Sequence, residues 1–178
     1  MSSAPVVIVL ASGQGSRFRA SGGQESKLDA LLAGRPVLQW TLAAVRESGL
    51  PFHVEDRGHA GMGDSIAAGV RACSNAPGWL ILPGDLPLVR ATTLLQVADR
   101  LSHDALVAPV FEGARGHPVG FSRAFSERLM ALSGPQGAGA LLAGAPLALL
   151  DVDDPGVMTD IDTLEDLARA EGVLKARG

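Results

Sequence analysis

Val6-Val7-Ile8-Val9-Leu10 runs directly into Ala11-Ser12-Gly13-Gln14-Gly15-Ser16-Arg17-Phe18. The first five residues are apolar and mostly β-branched, without alternation, which reads as a strand buried on both faces of a parallel sheet. Outward from it the chain alternates. A helix is expected from Pro36, with Val37, Leu38, Trp40, Leu42 and Val45 at helical spacing and Gly49 as its exit. Phe52–Glu55 reads as a strand, 58–63 as a flexible turn and 65–73 as a helix. Strands are expected at 79–82, 105–110, 119–121 and 147–152. Helices are expected at 91–101, 125–132, 137–142 and 163–170, the last capped by Asp162 or Thr163. Strands alternating with helices give an α/β, three-layer α/β/α sandwich with a mainly parallel sheet. In such sheets ligands sit beyond the carboxyl ends of the strands. The loops after Leu10 and Leu82 and the segment near Val152 are therefore the places to search.

The bulk properties narrow the field. The 178 residues are 47% apolar and 19% charged, which fits a folded domain, and we expect one domain over 1–178. A net charge of −4 argues against nucleic-acid binding. The 6–11 run is far short of the ~20 apolar residues of a membrane span and no secretory leader precedes it, so a cytoplasmic protein is expected. A single cysteine, Cys73, excludes an internal disulfide framework and a zinc knuckle; it reads as core. His53, His59 and His103 form no ligand spacing.

Three segments carry chemistry. In the glycine loop, Gly13 and Gly15 let backbone N–H groups meet anionic oxygen, Arg17 can grip phosphate bidentately, and Lys27 is a second cation. The bland alternative is a solvated turn. The loop is no G-x-x-x-x-G-K-[ST] phosphate loop, and Phe18 replaces the last glycine of the dinucleotide pattern. The second segment is Trp79-Leu80-Ile81-Leu82-Pro83-Gly84-Asp85-Leu86-Pro87. It delivers one carboxylate, Asp85, to the ligand edge, where it suits a hard cation such as Mg²⁺ or, alternatively, caps the next helix. The third is acidic: Asp151, Asp153, Asp154, Asp160 and Asp162. Pro155 and the lack of a glutamate at the twelfth position argue against a calcium loop. Helix capping needs one of Asp160 and Asp162 at most, which leaves a second metal ligand as the sharper reading.

Together these segments resemble the molybdenum-cofactor-type nucleotidyltransferases, nearest the molybdopterin cytidylyltransferases. Gly61-Met62-Gly63-Asp64-Ser65-Ile66-Ala67-Ala68-Gly69 and Arg115-Gly116-His117-Pro118-Val119 are similar to two further motifs of that family, and the resemblance runs from Val6 to Leu167. It implies a nucleotide-diphospho-sugar-transferase-like fold. It also implies Mg²⁺-dependent transfer of a nucleotidyl group, with CTP preferred, to a phosphorylated small-molecule acceptor of the molybdopterin type, releasing pyrophosphate. Arg17, Lys27 and Asp85 would be catalytic. Leu10, Ala11, Ser12, Gly13, Gly15 and Ser65 would bind the nucleotide, and His117 the acceptor. Asp85 and Asp162 would hold the metal, with Asp160 in reserve. A molybdoenzyme or its chaperone is the implied protein partner, and membranes and nucleic acid are not.

The chain departs from the family in three places. Ser12 stands where the cytidylyl branch has alanine and the guanylyl branch glycine. The interval from Arg17 to Lys27 is long. Gly134-Pro135-Gln136-Gly137-Ala138-Gly139 lacks the acid and the arginine of Gly-Asp-x-Gly-Ala-Arg. The alternatives are a guanylyl or other NTP transferase of the same fold, or a nucleotide-binding domain without turnover. A serine hydrolase built on Gly63-Asp64-Ser65 fails for want of a strand before the serine.

Overall fold

The computed structural model describes residues 3–13 and 15–178, so Gln14 of the glycine loop lies outside the described residues. In chain order the first half comprises β1 (Val6–Leu10), α1 (Ser16–Ala20), β2 (Leu31–Leu32), β3 (Arg35–Pro36), α2 (Val37–Ser48), β4 (Phe52–Glu55), α3 (Met62–Ala72), β5 (Gly78–Pro83) and α4 (Ala91–Leu101). The second half comprises β6 (Leu106–Phe111), β7 (Ala114–Arg115), β8 (Val119–Ser122), α5 (Ser126–Met130), α6 (Gly139–Ala143), β9 (Ala148–Asp151) and α7 (Leu164–Arg177).

The main sheet runs β4-β1-β5-β8-β6, with β9 beside β6 and the short β7 folding back on the end of β6. β4, β1 and β5 are mutually parallel, as are β6 and β9, whereas β8 lies antiparallel to both of its neighbours. Sheet direction is thus shared by all but β7 and β8, as the unbroken apolar strands predict.

Alternation within each strand builds two cores. Val7, Val9, Leu80, Leu82 and Val107 meet Leu42 and Val45 of α2 and Leu94 and Val97 of α4 on one face. Ile8, Trp79, Ile81 and Leu106 meet Ile66 and Val70 of α3 and Leu129 of α5 on the other. Period-two strands therefore supply a helix layer on each side.

Three differences from the sequence reading have local causes. The segment 11–25 is not all loop: α1 forms in it because Phe18 is buried, 1% exposed, in a third cluster with Leu28, Leu32 and Val37. α3 begins at Met62, so the turn expected over 58–63 is shorter. α7 continues to Arg177, started by a reciprocal capping box between Thr163 and Asp166 and supported along its exposed face by the Glu165–Arg169 and Glu171–Lys175 pairs. Cys73 sits at the end of α3, packed half-buried on the second core, where burial pushes its thiol upward.

Candidate active site

Leu10, Pro83 and Glu55 lie side by side at the carboxyl ends of β1, β5 and β4. The chain leaves the sheet there, and the next residues form the site. Backbone bonds fix the exit of β5: Gly84 N donates to Leu10 O (2.8 Å) and the buried Thr41 hydroxyl donates to Gly84 O (2.7 Å). The carbonyl of Asp85 then accepts from Ile161 N (3.0 Å), joining the β5 turn to the 160–162 segment. Asp85 caps no helix, because α4 starts at Ala91.

This joint gathers three acids. Asp85, Asp160 and Asp162 each offer an oxygen, all within 4.8 Å of one another. Lys27 Nζ lies 2.7 Å from Asp85 Oδ2 and 3.2 Å from Asp162 Oδ1, and Arg17 lies 3.3 Å from Asp162 Oδ1. The long interval before Lys27 therefore does not carry it away from the site: 21–26 form a turn beyond α1 and the chain returns. Asp85 Oδ1 is buried without a hydrogen-bond partner among the described residues. An unpartnered carboxylate oxygen facing two more carboxylates is a donor set for a hard divalent ion, which takes oxygen ligands.

The electrostatics follow. Burial opposes the Lys27 charge, but Asp85 and Asp162 outweigh it and hold its proton more tightly than usual. Desolvation and a hydrogen bond shared with Asp162 push Asp160 up to about 6. Burial works against the Asp162 charge too, yet Asp160, Lys27 and Arg17 together hold its carboxyl below the usual range.

Two cavities open on either side of this centre and share Leu10, Lys27, Met62, Pro83 and Asp85. The first, about 500 Å³, adds Ser12, Gly13, Gly61 and Ser65, and Ser12 Oγ lies 2.7 Å from Ser65 Oγ. The second, about 590 Å³, adds Arg17, Arg115, His117, Asp160 and Asp162 to an apolar wall that includes Ile66 and Phe121. Ala11 and Gly15 line neither. Ala11 N instead donates to Glu55 O (2.9 Å), and Gly15 takes a left-handed φ of 62° at the start of α1. His117 follows Gly116 and precedes Pro118 in a cis peptide. Its backbone N donates to Val157 O (2.9 Å); the side chain is exposed, and desolvation by the surrounding protein lowers its ring's proton affinity despite the Asp85 charge nearby.

The motif glycines have packing reasons. A Cβ at Gly61 would stand 2.2 Å from Gly134 O, and one at Gly116 would stand 2.4 Å from Val157 O. The first lets the 133–137 loop close over the start of α3, where Asp64 Oδ2 accepts from Gly134 N (3.1 Å). That loop divides its residues between the cavities, Pro135 to the first and Gly137–Gly139 to the second, and brings no charge to either.

The structure also sorts the acidic cluster. Asp151 and Asp153 are exposed. Asp154 is buried and structural, accepting from Arg90 N (2.9 Å), Thr93 Oγ1 (2.7 Å) and Gly156 N (2.9 Å). Sequence reasoning missed a second buried acid, Glu55, although a carboxylate ending an otherwise apolar strand was a visible signal. His53, Arg57 and His59 all converge on it.

Comparison with known proteins bears on the family and the fold. Residues 43–152 match the MobA-like NTP transferase domain. Rv0371c of Mycobacterium tuberculosis H37Rv is 24% identical, with 97% of this chain and 100% of that chain covered and a TM-score of 0.79; a manganese complex of that protein has also been solved. The molybdopterin-guanine dinucleotide biosynthesis protein A of Archaeoglobus fulgidus is 18% identical over 96% of this chain and 99% of its own, at a TM-score of 0.69. The bifunctional protein GlmU of Trichlorobacter lovleyi is 29% identical over 140 residues, 65% of this chain but only 30% of its own length. Among the described residues no helix is long and apolar enough to cross a membrane.

Proposed function

Because this chain belongs to the MobA-like NTP transferase family, we propose that it acts as one nucleotidyltransferase domain over 1–178. It moves a nucleotidyl group from an NTP, CTP preferred, to a phosphorylated small molecule of the molybdopterin type and releases pyrophosphate. The observation that carries this reading is the Asp85–Asp160–Asp162 group with Lys27 at the junction of two cavities. The first cavity takes the nucleotide, on Leu10, Ser12, Gly13 and Ser65. The second takes the acceptor, beside His117 and Arg115. Asp85 and Asp162, with Asp160, would hold a divalent ion, Mg²⁺ or Mn²⁺, which would supply positive charge to offset that of the phosphates.

The residues then act by placement and charge. An oxygen of the acceptor's phosphate attacks the α-phosphorus, a new P–O bond forms, and the bond to the β-phosphate bridging oxygen breaks. The acceptor phosphate is already ionised near neutral pH, so no side chain needs to remove a proton. Arg17 and Lys27 balance the charge that collects on the departing pyrophosphate, and Gly13 allows the backbone to approach the phosphates.

The test is a pyrophosphate-release screen of CTP, GTP, ATP and UTP with Mg²⁺ or Mn²⁺, with and without a molybdopterin-type acceptor. Release that needs both metal and acceptor, fastest with CTP, supports the reading. GTP as the fastest substrate favours the guanylyl alternative. Nucleotide binding without any release identifies a non-catalytic domain.

A further inference from the structure

A buried anion, Glu55, holds one lining residue of the first cavity, His59, outside the carboxylate group of Asp85, Asp160 and Asp162. The Glu55 side chain is only 1% exposed, yet it holds a full set of donors. Arg57 grips it bidentately, Nε to Oε1 (3.0 Å) and Nη2 to Oε2 (3.1 Å). His53 Nε2 lies 3.1 Å from Oε2 and His59 Nε2 lies 2.9 Å from Oε1. The Arg57 hydrogen bonds come first in holding the carboxyl down, to about 2, against the opposing effect of burial. An ionised carboxylate only accepts hydrogen bonds, so both histidine Nε2 atoms carry a proton and donate. In a neutral imidazole this leaves Nδ1 as a bare acceptor, and His59 Nδ1 makes no hydrogen bond among the described residues. His59 also lines the first cavity, as Ser12 and Ser65 do. The 56–61 segment that carries it is held at one end by Glu55 and closed at the other by Gly61 against Gly134.

We infer that His59 is a specificity-determining residue that reads the nucleobase edge as a hydrogen-bond acceptor, with Glu55 as the positioning residue that sets its tautomer. The inference rests on the nucleotide occupying the first cavity. It favours bases that present an exocyclic amino group there. Cytosine has one; uracil offers a carbonyl at the same place, which faces the Nδ1 lone pair and leaves both acceptors unpaired.

The test is equilibrium binding of CTP and UTP with Mg²⁺, at about pH 8.5, roughly two units above the ordinary imidazole value. Parent, His59→Leu and Glu55→Gln chains are compared, and folding is checked by thermal unfolding. The parent is expected to prefer CTP by roughly tenfold, the worth of one hydrogen bond against an unpaired acceptor. In His59→Leu, whose side chain has no ring nitrogen, the ratio should fall to about one. In Glu55→Gln the new amide can donate to His59 and release the opposite tautomer, so the preference should shrink or reverse. Unchanged CTP-to-UTP ratios in folded His59→Leu overturn the inference and leave the nucleotide reading intact. A parent that binds neither nucleotide overturns both.

Discussion

Replacing Lys27 with methionine removes a charge and keeps most of the side-chain volume. In the structure the ammonium stands 2.7 Å from Asp85 and 3.2 Å from Asp162, with side chains between 14% and 20% exposed. At an effective dielectric of ~20, those separations correspond to attractions of roughly 6 and 5 kcal/mol, most of it offset by desolvation. What remains when one partner is deleted is the cost of stranded acids: Asp85, Asp160 and Asp162 stay within 4.8 Å of one another with no buried cation between them. Partial exposure and water access reduce that cost to about 2–4 kcal/mol. For a domain of this size about 3 °C accompanies each kcal/mol, so in chelator the variant should unfold roughly 6–12 °C below the parent. Saturating Mn²⁺ should then raise the variant's midpoint more than the parent's, because the ion supplies the charge that the lysine gave. Thermal unfolding with chelator and with Mn²⁺, on both chains, reads this directly. A variant as stable as the parent in chelator, with the same metal-induced shift, refutes the reasoning.

Asp154→Ala should cost about 3–4 kcal/mol, because three donors, Arg90 N, Thr93 Oγ1 and Gly156 N, lose their buried acceptor; chemical unfolding checks it, and a cost below about 1 kcal/mol contradicts it. Glu55 is held at about 2 against an ordinary 4.5, so its contribution, on the order of 3 kcal/mol, is complete above pH 4.5 and disappears as pH falls toward 2. Glu55→Gln should therefore flatten the loss of stability across that acid window, measured as denaturation midpoint against pH. Ser12→Gly opens the first cavity beside Ser65, and the preference for CTP over GTP should fall by roughly tenfold in competition kinetics; an unchanged ratio shows that position 12 does not read the base.

Much of this site was legible because the sheet does the positioning. Val6–Leu10 and Trp79–Leu82 are buried on both faces and lack polar residues, so their identity as central parallel strands is written in their composition. Once they are adjacent, Ser12 and Asp85 must emerge at one edge. Asp160 and Asp162 were legible as more than capping residues, and the capping box indeed uses Thr163 and Asp166 instead. The rest depends on contacts distant in sequence. Helix α1 exists because Phe18 finds Leu28 and Leu32, which no local pattern states. Asp154 is indistinguishable from Asp153 in the sequence, and only the approach of Arg90 and Thr93 makes it structural. His53 and His59 look scattered because their common partner, Glu55, lies between them at strand and loop spacings that match no ligand motif. Lys27 reaches the acids across a turn whose length alone pointed the other way.

The central claim is that the carboxylate group at the β5 exit serves metal-dependent nucleotidyl transfer. The most direct measurement is the rate of pyrophosphate release from CTP, with acceptor and saturating Mg²⁺ or Mn²⁺, for the parent and for a folded Asp85→Asn chain. Asp85 contributes the buried, unpartnered oxygen of the group. The parent should turn over only with a divalent ion, and Asp85→Asn should be slower by roughly a hundredfold or more, since a metal's charge stabilisation is worth several kcal/mol. Turnover by Asp85→Asn close to that of the parent, or parent turnover that persists in chelator, contradicts the account.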